Sequence, residues 1–213
     1  MAAASNGQPA GTINRVPMTT ATASTFFAIL ALLCLLGTAM GIALLVIDRF
    51  RPSSPAAAWI SDVSRIAIWL AWIVAMGTTL GSLYYSQIAE YVPCELCWFQ
   101  RIAMYPLALI LLIAALRNDR WIWVYAVPLS AIGAAISVYH TQLQAFPEQA
   151  TFCSTTVPCT TRYVWQFGFV SLPFMALAAF SFIMVMLLLA RTTSAAARNP
   201  DSRSANSTSK AGN

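Results

Sequence analysis

The chain alternates long, nearly unbroken apolar runs with short polar segments. Residues 1–24 are small and polar, with one cation, Arg15, and predict a disordered tail. Thr25 to Ile47 is almost continuously apolar, enough to cross about 30 Å of hydrocarbon as a helix. Asp48-Arg49-Phe50-Arg51 ends it. A cleaved signal peptide would carry an apolar core of about 7–15 residues behind a basic segment. Here the core is longer and the stronger positive charge follows it, which predicts a retained helix. Residues 48–65 predict a cytoplasmic linker, rich in small residues over Pro52–Ala58 and closed by Arg65. Further spans are predicted at about Ile66–Tyr85, from Cys97 or Trp98 to Leu116, at Trp121–Tyr139 and at Phe167–Ala190. Arg117-Asn118-Asp119-Arg120 predicts a tight turn that makes the third and fourth spans antiparallel neighbours. His140–Trp165 reads as a longer polar loop, and residues 191–213 as a disordered cytoplasmic tail. The expected fold is an all-α membrane protein: a four-helix transmembrane bundle over residues 66–190, plus one extra N-terminal transmembrane helix.

Composition agrees. The chain is 59% hydrophobic and 9% charged, against about 25% charged in soluble domains. The net charge of +5 comes from cations at the ends of apolar runs, which reads as topology and argues against a nucleic-acid partner. No Gly-rich phosphate loop is present, and a single His rules out a His-based metal cluster. With the N-terminus outside, the cytoplasmic side receives Arg49, Arg51, Arg65, Arg117, Arg120, Arg191, Arg198, Arg203 and Lys210. The outside keeps Arg15 and Arg162, with Arg101 at the outer interface. That orientation satisfies the positive-inside rule and places Cys94, Cys97, Cys153 and Cys159 on one extracytoplasmic face. Tyr84, Tyr85, Tyr91, Trp98, Tyr163 and Trp165 fall at the outer ends, as an aromatic belt would.

Four Cys on one oxidising face admit structural disulfides, a Cys₄ metal site or a redox relay. A Cys-x-x-Cys bridge closes a very small loop and gains little loop-closure entropy. Such pairs are typical of exchangeable thiols. A zinc ribbon has two Cys-x₂-Cys halves, whereas the second pair here is Cys153-x₅-Cys159. Pro93 fits the approach to a helix. A helix starting near Leu96 would bring the Cys97 sulfur to unpaired N–H groups and favour its thiolate. Arg101 is one turn on, on the same face. Cys34, alone in mid-span, reads as a small buried hydrophobe. Glu95 reads as solvated, and Gly77, Gly81 and Ser82 as small residues that permit close helix packing. His140 is either a polar interface residue or a group near a bound cofactor.

Cys94-Glu95-Leu96-Cys97-Trp98-Phe99-Gln100-Arg101, running into Met104-Tyr105-Pro106-Leu107, resembles the signature of the DsbB/BdbC family of bacterial disulfide bond formation proteins. Tyr139-His140-Thr141-Gln142-Leu143-Gln144 is similar to that family's segment before its second outer loop. The resemblance covers about residues 66–190. It implies a quinone-dependent thiol oxidase of the bacterial inner membrane, using ubiquinone or menaquinone and oxidising a thioredoxin-like, DsbA-type partner. Carried over by position, it implies that the partner attacks Cys153 and that Cys159 exchanges with Cys94. Cys97 would face the quinone, with Arg101 at a quinone oxygen and His140 nearby. The extra helix departs from the family's four spans, and the short Cys153–Cys159 spacing resembles the BdbC-like branch. A vitamin K epoxide reductase-like enzyme would place the loop cysteines before the Cys-x-x-Cys, the reverse of the order here. A non-enzymatic membrane protein with structural disulfides is the remaining rival.

Overall fold

A computed structural model describes residues 18–50, 56–149, 153 and 157–198. Five helices are long and apolar enough to cross a membrane: α1 (Met18–Phe50), α2 (Ala56–Gln87), α3 (Glu95–Arg117), α4 (Trp123–Ala145) and α5 (Leu172–Arg198). Helices α2, α3, α4 and α5 form a ring in which each packs on the next, and α1 lies outside it along α5. The chain is an all-α membrane protein. Large apolar side chains such as Leu36, Leu80, Ile102 and Leu109 point outward, as lipid solvation allows. The inward faces carry small residues, including Ala67, Ala71 and Ala75 on α2 at one-turn intervals. Close backbone approach is clearest at Gly133 of α4, where an added Cβ would lie 2.3 Å from the Phe180 ring of α5.

Several helix ends differ from the hydropathy pattern, each for a local reason. Residues 18–24, expected in the tail, are helical. Ser24 Oγ donates to the Thr20 carbonyl (2.8 Å) and Thr25 Oγ1 to that of Ala21 (3.0 Å), so polar residues are satisfied within the helix. Residues 56–65, expected in the linker, form the first turns of α2. Ala56-Ala57-Ala58 are strong helix formers, and no Gly or Pro follows before Gly77. The rest of the two expected tails and residues 51–55 lie outside the described residues, apart from the last turns of α5, which run to Arg198.

The α3–α4 turn forms as expected. Asn118 takes the left-handed conformation (φ 52°) as the C-cap of α3, and Asp119 Oδ1 accepts from the Trp121 N–H at 2.9 Å. Helix α4 continues six residues beyond the expected Tyr139 to Ala145. Its buried face carries Ser130, Gly133, Ser137, His140 and Gln144 at helical spacing. Helix α5 starts five residues later than expected. Phe167 and Gly168 both have positive φ, and Gln166 and Val170 exchange backbone hydrogen bonds of 2.9 and 2.8 Å around that turn.

Candidate functional site

Cys94 is the N-cap of α3, in extended conformation, and its carbonyl accepts the Trp98 N–H at 3.1 Å. Three residues on, Cys97 turns back so that the two sulfurs lie 3.1 Å apart as free thiols. The two thiols are hydrogen-bonded to each other. That hydrogen bond is the main reason the Cys94 thiol is lowered to about 4; burial opposes it and His140 adds to it. Of the two, Cys94 is the thiol that His140 also faces, which favours its ionised form.

His140 projects from the buried face of α4. Its Nε2 is 3.7 Å from the Cys94 sulfur and 3.1 Å from the Cys159 carbonyl oxygen. Contact with a carbonyl requires Nε2 to carry a proton, and Nδ1 is buried with no hydrogen-bond partner among the described residues. His140 shares a recess of about 20 Å³ with Cys94 and Cys97. Cys94, Cys97 and His140 bring three ligand atoms within 4.8 Å of one another. Among the described residues no fourth His, Cys, Asp or Glu joins them, one short of a structural zinc site.

On its other side Cys97 borders a larger cavity of about 300 Å³ between α1, α2, α3 and α5. Arg101 lines it one turn further along α3. Its guanidinium is fixed to α2: Nε donates to Ser82 Oγ at 2.9 Å and Nη2 to the Ser82 carbonyl at 3.1 Å. Its central carbon lies 5.3 Å from the Trp98 ring centroid. Tyr105, one more turn along, also lines the cavity, and its buried hydroxyl has no hydrogen-bond partner. Gln100 donates to Ser137 Oγ at 3.0 Å and ties α3 to α4. Ser82 and Tyr105 were not singled out as site residues from the sequence. Tyr105 continues the Cys97–Arg101 helical stripe and could have been found that way. Ser82 sits on another helix and carries no such signal.

Cys153 and Cys159 are joined as a disulfide. Cys159 is 1% exposed and packs with Cys94, Leu96 and Leu143. Its loop is fastened to α4 by more than His140: Gln144 Nε2 donates to the Thr161 carbonyl at 3.2 Å, and Arg162 donates to the Gln144 carbonyl. Tyr163 stacks on Tyr91 of the α2–α3 loop at 4.8 Å, and Tyr91 on Tyr85 at 5.7 Å. These tyrosines join the two cysteine loops to each other. Cys34 of α1 is a free thiol lining the larger cavity.

A family model for disulfide bond formation protein DsbB matches residues 64–190. Disulfide bond formation protein C of Bacillus subtilis is 44% identical over 126 residues, 58% of this chain and 91% of that protein. A probable disulfide formation protein of Oceanobacillus iheyensis is 47% identical over 123 residues, 56% of this chain and 85% of its own. Probable disulfide formation protein C of Halalkalibacterium halodurans is 46% identical over 122 residues, covering 56% and 88% respectively. No solved structure matches the chain. The matched segment begins in α2, so α1 lies outside it.

Proposed function

Because this chain belongs to the family of disulfide bond formation protein DsbB, it is a membrane disulfide-forming oxidoreductase, and we propose that it reoxidises a DsbA-type thiol oxidase and delivers the electrons to a membrane quinone. The site would face the outside of the bacterial inner membrane. Arg49, Arg65, Arg117, Arg120 and Arg191 all sit at the opposite helix ends, which supports that orientation.

In this reading, a thiolate of the thioredoxin-like partner attacks Cys153, and Cys159 leaves as a thiolate. The partner's second thiolate resolves the mixed disulfide and releases an oxidised partner. Cys159 then attacks Cys94 of a Cys94–Cys97 disulfide, Cys97 leaves, and Cys153 closes back onto Cys159. Two electrons and two protons have passed from the partner to Cys94 and Cys97. The structure has the bonding that follows this exchange, with Cys153–Cys159 joined and Cys94 and Cys97 as free thiols.

Ubiquinone or menaquinone, when bound, accepts two electrons and two protons. The larger cavity fits an apolar molecule with hydrogen-bonding oxygens, because Arg101 and the unpartnered Tyr105 hydroxyl stand in an otherwise largely apolar lining. Ser82 holds Arg101 at two points, so the cation is oriented before any ligand arrives. His140, in the smaller recess, supports the Cys94 thiolate and holds the Cys159 carbonyl, which suits exchange between the cysteine pairs better than contact with a quinone. The observation that carries the reading is that Cys97 and Arg101 share the wall of that cavity while Cys94 packs against Cys159.

The test is quinone reduction by the purified protein, driven by a reduced thioredoxin-like protein. One quinone reduced per partner disulfide formed is expected. No quinone reduction in the presence of exchanging thiols would overturn the reading.

A further inference from the structure

The cavity beside Cys97 and Arg101 has one wall that the family-matched segment does not supply. Phe27, Leu30, Ala31 and Cys34 of α1 line it. Their spacing is i, i+3, i+4, i+7, one face of a helix, and it runs about 10 Å along the axis. Helix α1 is held in place by α5, not by the cavity. A Cβ added at Gly37 would lie 2.6 Å from Phe182, and one at Gly41 would lie 2.4 Å from Val185. Against α2, contact forms at the end nearest the thiols. Phe27 packs over Gly81 and lies 5.8 Å from the Tyr85 ring, whose hydroxyl donates to Ser24 Oγ at 3.2 Å. Further in, a Cβ added at Gly77 would meet no atom within 4 Å, so a slot stays open between α1 and α2.

The slot's polar groups gather toward one end, with the Tyr105 hydroxyl one turn deeper than Arg101. Cys97, Arg101 and Ser82 stand near the Phe27 end. Ile73 of α2 lies nine residues before Ser82, about 13 Å deeper along the helix. Thr78, between them, spends its hydroxyl on the Val74 carbonyl at 2.8 Å and offers no donor to the slot. A molecule filling this volume has an oxygen-bearing head and a hydrocarbon stem lying along α1. We propose that α1 is the wall for the isoprenoid tail of the quinone, so that Ala31, Cys34 and the bare face of Gly77 decide which tail is accepted while Arg101 meets the ring. The proposal rests on the quinone reading of the cavity and goes beyond it by giving the extra helix a role in tail selection.

The experiment measures equilibrium binding by tryptophan fluorescence quenching in lipid nanodiscs. The two probes are a quinone ring with a ten-carbon alkyl tail and the same ring without one, in the benzoquinone or naphthoquinone series that the wild type binds. Gly77→Leu starts from a Cβ with no neighbour within 4 Å among the described residues, and its side chain narrows the slot. Cys34→Phe narrows it from the α1 side. In both variants the ratio of tailed to tail-less affinity should fall about tenfold. In the wild type, a tailed quinone with a terminal diazirine should photolabel the α1 peptide spanning Phe27–Cys34. An unchanged affinity ratio in both variants, or labelling confined to other helices, would overturn the role of α1 while leaving the ring site standing. A wild type that binds neither quinone would remove the cavity reading itself, and this proposal with it.

Discussion

Replacing Cys97 with Ala should change the reactivity of a different residue, Cys94, in a direction that depends on pH. The Cys94 thiol is lowered from its ordinary value of 9.0 to about 4, chiefly by its hydrogen bond with the Cys97 thiol 3.1 Å away. At pH 6 an ordinary thiol is about 0.1% ionised and Cys94 almost fully so, a gain of about 1,000-fold in thiolate. Thiolate nucleophilicity falls with pKa at a Brønsted slope of about 0.4–0.5, so five units cost about 100–300-fold. Cys94 should therefore exchange with a small disulfide about 3–10 times faster than an ordinary thiol at pH 6. At pH 8 an ordinary thiol is about 9% ionised and the sign reverses, leaving Cys94 about 10–30 times slower. The rate should be flat above about pH 5 and fall as Cys94 takes up its proton near pH 4. Cys97→Ala removes that hydrogen-bond partner and should move the midpoint up by about two pH units or more. The assay is stopped-flow exchange with an aromatic disulfide from pH 3 to 9, in a background lacking Cys34, Cys153 and Cys159. A midpoint near 9 in the parent, or one still near 4 in Cys97→Ala, would refute the assignment of the low value to the thiol pair.

Other consequences can be measured separately. Arg101→Ala should raise the KM for quinone or slow its reduction, by about 10²–10³ overall if one charge-assisted hydrogen bond at a reacting oxygen is lost. The exchange at Cys153 should change little, and stopped-flow kinetics of the two half-reactions separate them. Cys153→Ser should abolish turnover with the partner protein but still allow quinone to oxidise Cys94 and Cys97, read by thiol counting after quinone addition; normal partner oxidation would take this pair out of the relay. Gly133→Ala drives a Cβ into the fully buried Phe180 ring and should destabilise the bundle by about 1–3 kcal/mol, seen as a lower Tm in detergent. Membrane-impermeant maleimide on reduced intact cells should reach the half-buried Cys153; labelling only after permeabilisation would reverse the proposed orientation.

Five apolar runs gave five helices, and the Cys94–Leu107 signature pointed to the family that the comparisons confirm. Hydropathy could do this because a lipid-facing helix is apolar on nearly every side. It failed where polar residues face inward. His140 and Gln144 look like the start of a loop, yet they and Ser137 each meet a partner from another segment: the Cys159 carbonyl, the Thr161 carbonyl and Gln100. Their three- and four-residue spacing was the helical signal that polarity concealed. The setting of the Cys94 thiol was not legible either, because His140 reaches it from another helix, 46 residues further along the chain. The clamp of Arg101 by Ser82 joins residues nineteen apart on two helices, and no periodicity in either helix encodes it.

The Cys153–Cys159 bridge joins two mechanically unequal sulfurs. Cys159 is buried against Cys94, its carbonyl is gripped by His140, and its loop is gripped two residues on by Gln144 and four residues on by the Tyr163–Tyr91 stack. Cys153 is only half-buried. Cutting the bridge therefore leaves the Cys159 sulfur on a post beside Cys94. In the proposed relay, the Cys159 thiol freed by the partner would stay where it was made, beside the next sulfur in line. Direction along the relay would then come from anchorage: the thiol that must hand electrons inward has nowhere else to go.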